Sequence, residues 1–118
     1  MKKMIIFCGI VVSGCSTVGE VRSQAPIVTV FSERSVPEIA GCISEIWSGH
    51  KGATVSAIPI ARGTAVSTGW QMYSSPMTAA VADVTDEGTA RKVTIRTGRK
   101  NIKEAGIIAT REEIRPCL

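Results

Sequence analysis

The feature that most constrains this sequence is a change in hydrophobic period near residue 50. Before that point, four apolar residues recur at helical spacing and form one stripe: Ile39, Ile43, Ile46 and Trp47. After it, short segments alternate apolar and polar residues, as half-buried strands do. Because a helix and a sheet must each bury an apolar face, the pattern predicts one helix packed on a sheet.

Local signals mark both ends of the helix. Ser35 suits the N-cap position, and Glu38 follows three residues later, as in a capping box. Pro37 is tolerated in the first turn, and Gly49 is a typical C-terminal stop. We interpret the apolar stripe as core rather than as a ligand site, because amphipathic helices normally bury this face.

Five segments have the composition and alternation of strands. One precedes the helix and four follow it, over residues 27–31, 54–61, 64–73, 77–85 and 90–97. Pro59 cannot donate to a strand ladder and predicts an edge strand or a bulge. Gly69 predicts a bulge or a close backbone approach. The turns between the last four strands are short, so these strands are expected to form an antiparallel meander.

The predicted fold is therefore α+β, with an antiparallel sheet of about four to five strands and one main helix on one face. The element order is β-α-β-β-β-β, followed by a C-terminal tail. The opposite face is predicted to be solvated or to pair with another subunit. In the tail, Thr110 begins a second capping-box pattern, but Pro116 limits that helix to about one turn. Alternatively, Ile107 and Ile108 extend the sheet.

The N-terminus has the three parts of a secretory signal. Lys2 and Lys3 give a basic start, residues 4–12 are mostly apolar, and small residues lead to Cys15. The apolar run is too short to cross a bilayer as a stable helix. Two alternatives are a buried N-terminal helix of the mature fold and a signal peptide that is cleaved without lipid attachment.

The sequence Val12-Ser13-Gly14-Cys15 resembles the lipobox of bacterial lipoproteins. The resemblance implies that Cys15 receives a diacylglycerol on its sulfur, that residues 1–14 are removed, and that the new amino terminus is acylated. Ser16 replaces the Asp that usually retains such proteins in the inner membrane, which implies an outer-membrane location facing the periplasm of a Gram-negative host. The expected organisation is a signal peptide over 1–14, a lipidated N-terminus and flexible tether over 15–26, and one α+β domain over 27–118.

The cysteine count then predicts a disulfide. Of the four cysteines, Cys8 leaves with the signal and Cys15 carries lipid, so one pair remains in an oxidising compartment. We predict a bond between Cys42 and Cys117, with two free thiols or an intermolecular bond as alternatives. No cofactor beyond the covalent lipid is expected. No metal is expected either, because two cysteines and His50 fall short of four zinc ligands.

The charge pattern suggests a binding surface. The formal charge is +4, and losing Lys2 and Lys3 leaves a mild excess that does not argue for nucleic acid. Six basic residues occur without an intervening acid: Arg91, Lys92, Arg96, Arg99, Lys100 and Lys103. Such a patch is predicted to meet an acidic envelope protein, lipid phosphates or peptidoglycan carboxylates. The alternative is a solvated strand face with edge-protecting lysines.

The sequence contains little that indicates catalysis. We interpret His50, the only histidine, as an exposed loop residue rather than as a base, because no nucleophile-elbow pattern is present. Asp83, Asp86 and Glu87 are assigned to turn chemistry rather than to calcium binding. The expected function is that of a lipid-anchored periplasmic envelope protein with a non-enzymatic binding or structural role. The alternative is an inhibitor or immunity lipoprotein that acts on a hydrolase or toxin.

Overall fold

The computed structural model describes residues 17–72, 75–99 and 101–118. Five strands form one antiparallel sheet in the order β1-β5-β4-β3-β2, and the α+β fold predicted from the sequence is confirmed. The elements are α1 (Val18–Arg22), β1 (Val28–Ser32), α2 (Val36–Ser48), β2 (Thr54–Ile60), β3 (Gly63–Met72), β4 (Ser75–Asp86), β5 (Arg91–Thr97) and α3 (Glu104–Ile114), followed by a 3₁₀ turn at Arg115–Cys117.

Strands β2 to β5 form the expected meander, and β1 adds beside β5. β1 and β2 are therefore the two edge strands, and α2 crosses one face of the sheet to connect them. Pro59 lies on β2, where the missing ladder donor is tolerated because an edge strand has one unpaired side. Among the described residues, no helix has the length and apolar character needed to cross a membrane.

One face of the sheet packs against α2 and is here called the α2 face. Ile39, Ile43 and Trp47 of the predicted stripe are buried against it. The capping box also forms, because Ser35 and Glu38 exchange hydrogen bonds at the start of α2. Residues from four strands and from α3 meet α2 in this core, including Val28, Val66, Ala82, Val84, Val93, Ile95 and Ile114.

The C-terminal tail closes the α2 face, but its helix is longer than the sequence predicts. α3 has 11 residues and begins at Glu104, so Ile107 and Ile108 lie in a helix and not in the sheet. Thr110 is not an N-cap, because its hydroxyl donates to the Gly106 carbonyl one turn earlier in the same helix. Pro116 lies in the 3₁₀ turn that follows α3, which agrees with its expected role in ending the helix.

The predicted cysteine pairing is found. Cys42 on α2 and Cys117 after α3 lie at disulfide-bonding distance, with an S–S distance of 2.11 Å and a Cα–Cα distance of 5.5 Å. Cys117 is fully buried, and it belongs to the same core as the α2 stripe. The bond therefore ties the tail to the main helix across the protein's largest apolar cluster.

The opposite face carries α1 and is here called the α1 face. The prediction of a flexible tether through residue 26 is wrong for Thr17 to Arg22, and this face is not simply solvated. Thr17 and Glu20 form a capping box, and Val21 is fully buried beside Ala65 and Val81. The buried valine, the local cap and the ion pair between Arg22 and Asp83 together dock this short helix on the sheet.

Candidate functional site

A groove of about 480 Å³ opens at the end of the α2 face. It lies between the C-terminal end of α2, the paired strands β3 and β4, and α3. The side chains that give it its chemical character are His50, Trp70, Met77, Ala80, Arg99 and Glu113. No single sequence segment contains this set, which is why the groove could not be predicted before the tail was placed.

The two tryptophans of the protein have different roles in the groove. Trp47 is 2% exposed and belongs to the core, whereas Trp70 is 43% exposed and offers its ring to a ligand. Trp70 pairs with Met77 across the β3–β4 ladder. The exposed wall of the groove is therefore apolar and aromatic.

A β-bulge positions this wall. The register between β3 and β4 shifts between Thr68 and Gly69, immediately before Trp70. A Cβ at Gly69 would lie 1.8 Å from the carbonyl oxygen of Met77, so only glycine permits this approach. The sequence predicted a bulge or a close backbone approach at Gly69, and the structure shows a register shift beside Gly69 together with the close approach to Met77. Bulges re-aim neighbouring side chains.

The polar end of the groove is formed by a histidine–glutamate pair. Nε2 of His50 lies 2.5 Å from an Oε atom of Glu113, and this contact joins the loop after α2 to α3. His50 is half exposed, as expected for a loop residue, but it is not isolated. Glu113 was missed because its position depends on the full length of α3, for which the sequence carries no strong periodic signal.

Arg99 supplies the positive charge of the groove. It follows the end of β5 and is exposed, and its carbonyl accepts a hydrogen bond from the Thr97 hydroxyl at 3.4 Å. Within the described part of the chain, no salt bridge includes Arg99. Its guanidinium is therefore available for an anion.

The structure does not bring the five described members of the predicted basic patch together as one surface. Arg91 and Thr97 lie at opposite ends of β5, which separates them by about 20 Å at the rise of a strand. Arg91 is used internally, because its guanidinium donates to the carbonyl oxygens of Glu33 and Arg34 at 2.8 Å each. It therefore fixes the loop before α2 instead of meeting a partner.

The remaining basic residues are divided between different places. Lys92 pairs with Phe31 at the edge of the sheet, on the α1 face, and Lys103 is the N-cap residue of α3. Arg96 donates to the Gln24 carbonyl at 3.0 Å. Lys100 lies outside the described residues. Arg99 alone among the described members of the predicted patch lines the groove.

Arg96 also takes part in an ion network that the sequence did not predict. Asp83 accepts two hydrogen bonds from Arg22, at 2.7 and 2.9 Å, and lies 3.5 Å from Arg96. Asp83 is therefore not a turn residue, and Arg96 does not point freely to water. The network holds α1 and the chain after it against the sheet.

The turn assignment is correct for the other two acids. Asp86 accepts a hydrogen bond from the backbone N–H of Gly88 at 2.9 Å, and this bond lowers the pKa of the Asp86 carboxyl below its ordinary value. Glu87 accepts a hydrogen bond from the Thr85 hydroxyl. Both contacts stabilise the β4–β5 turn.

Two arrangements that catalysis or metal binding would use are not seen among the described residues. Among the hydrogen bonds of residues 17–72, 75–99 and 101–118, none joins His50 to a serine or threonine hydroxyl. In those same ranges, no three His, Cys, Asp or Glu side chains cluster as metal ligands would. What the groove presents is an exposed tryptophan, apolar surface, a guanidinium and the histidine–glutamate pair.

No protein-family model matches the chain, and no curated protein or solved structure matches it either.

Proposed function

We propose that this protein is a lipid-anchored periplasmic envelope protein with a non-enzymatic binding role, and that the groove is its binding site. The observation that carries the proposal is that one mostly apolar groove is lined by an exposed aromatic ring, Trp70, and by Arg99, whose guanidinium has no salt-bridge partner among the described residues. Binding sites are typically concave and mostly apolar, with a few polar groups that orient the ligand. The expected ligand is anionic and carries an apolar part.

The anchor is supported by the sequence before the folded domain. Cys15 ends a lipobox-like segment, and Thr17 already caps α1. An oxidising compartment agrees with the close approach of Cys42 and Cys117 in a buried position. Lipid anchoring would hold the groove at a fixed place on the membrane surface.

Site-specific photo-crosslinking in whole cells tests the binding role. A photoreactive amino acid at position 70 should yield a defined adduct, because this side chain lines the groove. The matched control is position 31, since Phe31 is an exposed aromatic on the opposite face of the sheet, with 59% of its surface accessible. Equal adducts at both positions, or none at position 70, would count against the groove as the binding site.

The intact mass of the membrane-fraction protein tests the anchor and the compartment. The expected mass lacks residues 1–14, includes acyl chains on the new N-terminus, and shows one disulfide opening on reduction. A mass that begins at Met1 with free thiols would contradict the lipid anchor and the periplasmic location together.

A further inference from the structure

The start of the folded chain and the groove lie on two sides of the same strand pair. Thr17 and Val18 line a cleft on the α1 face together with Gly69, Met77 and Thr78. The groove on the α2 face is also lined by Met77 and Thr78. The chain therefore enters the domain at the end of the sheet where the groove opens.

The distance from the anchor to this end is short. Cys15 precedes Thr17 by two residues, which span at most about 7 Å even when fully extended. In the folded protein α1 is docked on the sheet, because Arg22 donates two hydrogen bonds to Asp83 and Arg96 donates one to the Gln24 carbonyl. If Cys15 carries lipid, as the proposed function states, the β3–β4 end of the domain faces the bilayer.

The charges along the sheet agree with this orientation. The far end of β4 lies about 30 Å from Met77 at the rise of a strand. There, Asp86 pairs with Arg91 and Glu87 pairs with Arg62. At the near end, Arg99 has no acidic partner among the described residues. A guanidinium without a salt-bridge partner among the described residues therefore lies where an anionic membrane surface would be.

The groove has the chemistry of a lipid site at the membrane interface. Trp70 has an apolar ring with a polar N–H, and tryptophan is enriched at the level of lipid headgroups. Met77 and Ala80 offer apolar surface beside it. We propose that the groove binds an anionic lipid of the membrane that holds the anchor, with the headgroup phosphate on Arg99 and the upper acyl chain along Trp70.

Fluorescence quenching by brominated lipids tests this proposal. The full lipidated protein is reconstituted in vesicles of phosphatidylcholine with a minor fraction of phosphatidylglycerol, and bromine is placed on the acyl chains of one lipid or the other. The Trp47→Phe variant reports on Trp70, since the protein has two tryptophans. The difference between wild type and Trp70→Phe gives the same signal if Trp47→Phe fails to fold.

The expected result is at least about twofold stronger quenching of Trp70 per bromine on phosphatidylglycerol than per bromine on phosphatidylcholine. Arg99→Gln should abolish this preference, whereas Lys92→Gln should retain it, because Lys92 lies on the other face at the far end of β5. Equal quenching of Trp70 by both brominated lipids would overturn the proposal. Quenching of Trp70 by iodide added to the aqueous phase, without quenching by either lipid, would overturn it as well.

Two further measurements distinguish the possible causes of the quenching result. In the first, excess inorganic phosphate is added, and a sample with chloride at the same ionic strength is the control. The lipid preference stays intact if the occupant is a lipid. Loss of the preference in phosphate indicates a site for free phosphate and overturns the proposal. The mass of the same sample shows whether Cys15 is lipidated. An unlipidated protein contradicts both the proposed function and this inference, whereas a lipidated protein without lipid-specific quenching contradicts the inference alone.

Discussion

The two faces of the sheet are covered by helices that are held in different ways. On the α2 face, a core cluster of 12 buried residues is closed by the Cys42–Cys117 bond. On the α1 face, the cluster has three buried residues, and the helix of five residues is held mainly by Asp83 and its two arginines. The comparison teaches that one face carries most of the buried core of the fold, while the other fixes the position at which the folded chain begins.

This difference implies two levels of stability. A helix of five residues is not stable by itself in water, so α1 depends on its contacts with the sheet. Hydrophobic burial is insensitive to moderate salt, whereas partly exposed ion pairs are screened. We therefore expect α1 to detach from the sheet before the α2 face unfolds, and the following changes test that order.

The largest effect is expected from loss of the disulfide on the α2 face. The two cysteines are separated by 75 residues. Replacing both with alanine should lower the free energy of unfolding by about 4 kcal/mol, because the unfolded chain gains the entropy of an open loop. Denaturant titration of the oxidised and reduced wild type and of the double variant measures the change. Equal midpoints for all three would mean that the bond does not form.

A matched pair of core substitutions compares the faces directly. Ile43→Ala on the α2 face should cost about 3 kcal/mol in global unfolding, because it leaves a cavity in the larger cluster. Val21→Ala on the α1 face should leave the global transition nearly unchanged and speed the exchange of the Val21 amide, which bonds the Thr17 carbonyl at 3.0 Å. Hydrogen exchange and denaturant titration together check the pair. An equal loss of global stability would show that the faces unfold as one unit.

Removal of the charge at Asp83 tests the ion network on the α1 face. Asp83→Asn should weaken the docking of α1 by about 2 kcal/mol, since hydrogen bonds to charged groups are the stronger kind and the site is only partly buried. In the wild type, the hydrogen-exchange rate of the Val21 amide should rise with salt concentration. In the variant, this rate should be high at every salt concentration. Exchange in α2 serves as the internal control and should not change in either protein.

The smallest effect is an acid dependence at the start of α2. The carboxylate of Glu38 accepts hydrogen bonds from the backbone N–H and from the hydroxyl of Ser35. Both bonds lower the pKa of Glu38, and the bond from the backbone N–H is the larger cause. The associated stability is fully present above the ordinary glutamate pKa of about 4.3 and is lost as the pH falls through the lowered value. Titration of the Glu38 carboxyl by NMR checks the direction. A pKa at or above the ordinary value would contradict the capping box.

The accuracy of prediction from the sequence differed between local and distant features. The cap at Ser35 and the stop at Gly49 are local, and α2 indeed lies between them. The cap of α1 was also in the sequence, as Thr17 followed by Glu20, but only Val18 and Val21 gave an apolar signal. That signal is too weak to distinguish a docked helix from a tether without the sheet on which it packs.

The groove and the ion network could not be predicted, because each joins residues that are far apart in the chain. His50 and Glu113 are 63 residues apart, and Arg22 and Asp83 are 61 residues apart. Asp83 was assigned to a turn because it is close in sequence to Asp86. Strand alternation places it instead on the α1 face, where the two arginines determine its role.

The sequence by itself determined the features that depend on neighbouring residues: the bounds of α2, the strands of the meander, the bulge at Gly69 and, through the cysteine count, the pairing of Cys42 with Cys117. Backbone hydrogen bonding, capping and side-chain alternation act over a few residues, so they can be predicted from the order of the chain. Only the tertiary structure decided that α1 docks on the sheet, that α3 completes the groove and that the five described residues of the basic patch separate. These features depend on which distant surfaces pack together, and that choice is made by burial across the whole domain.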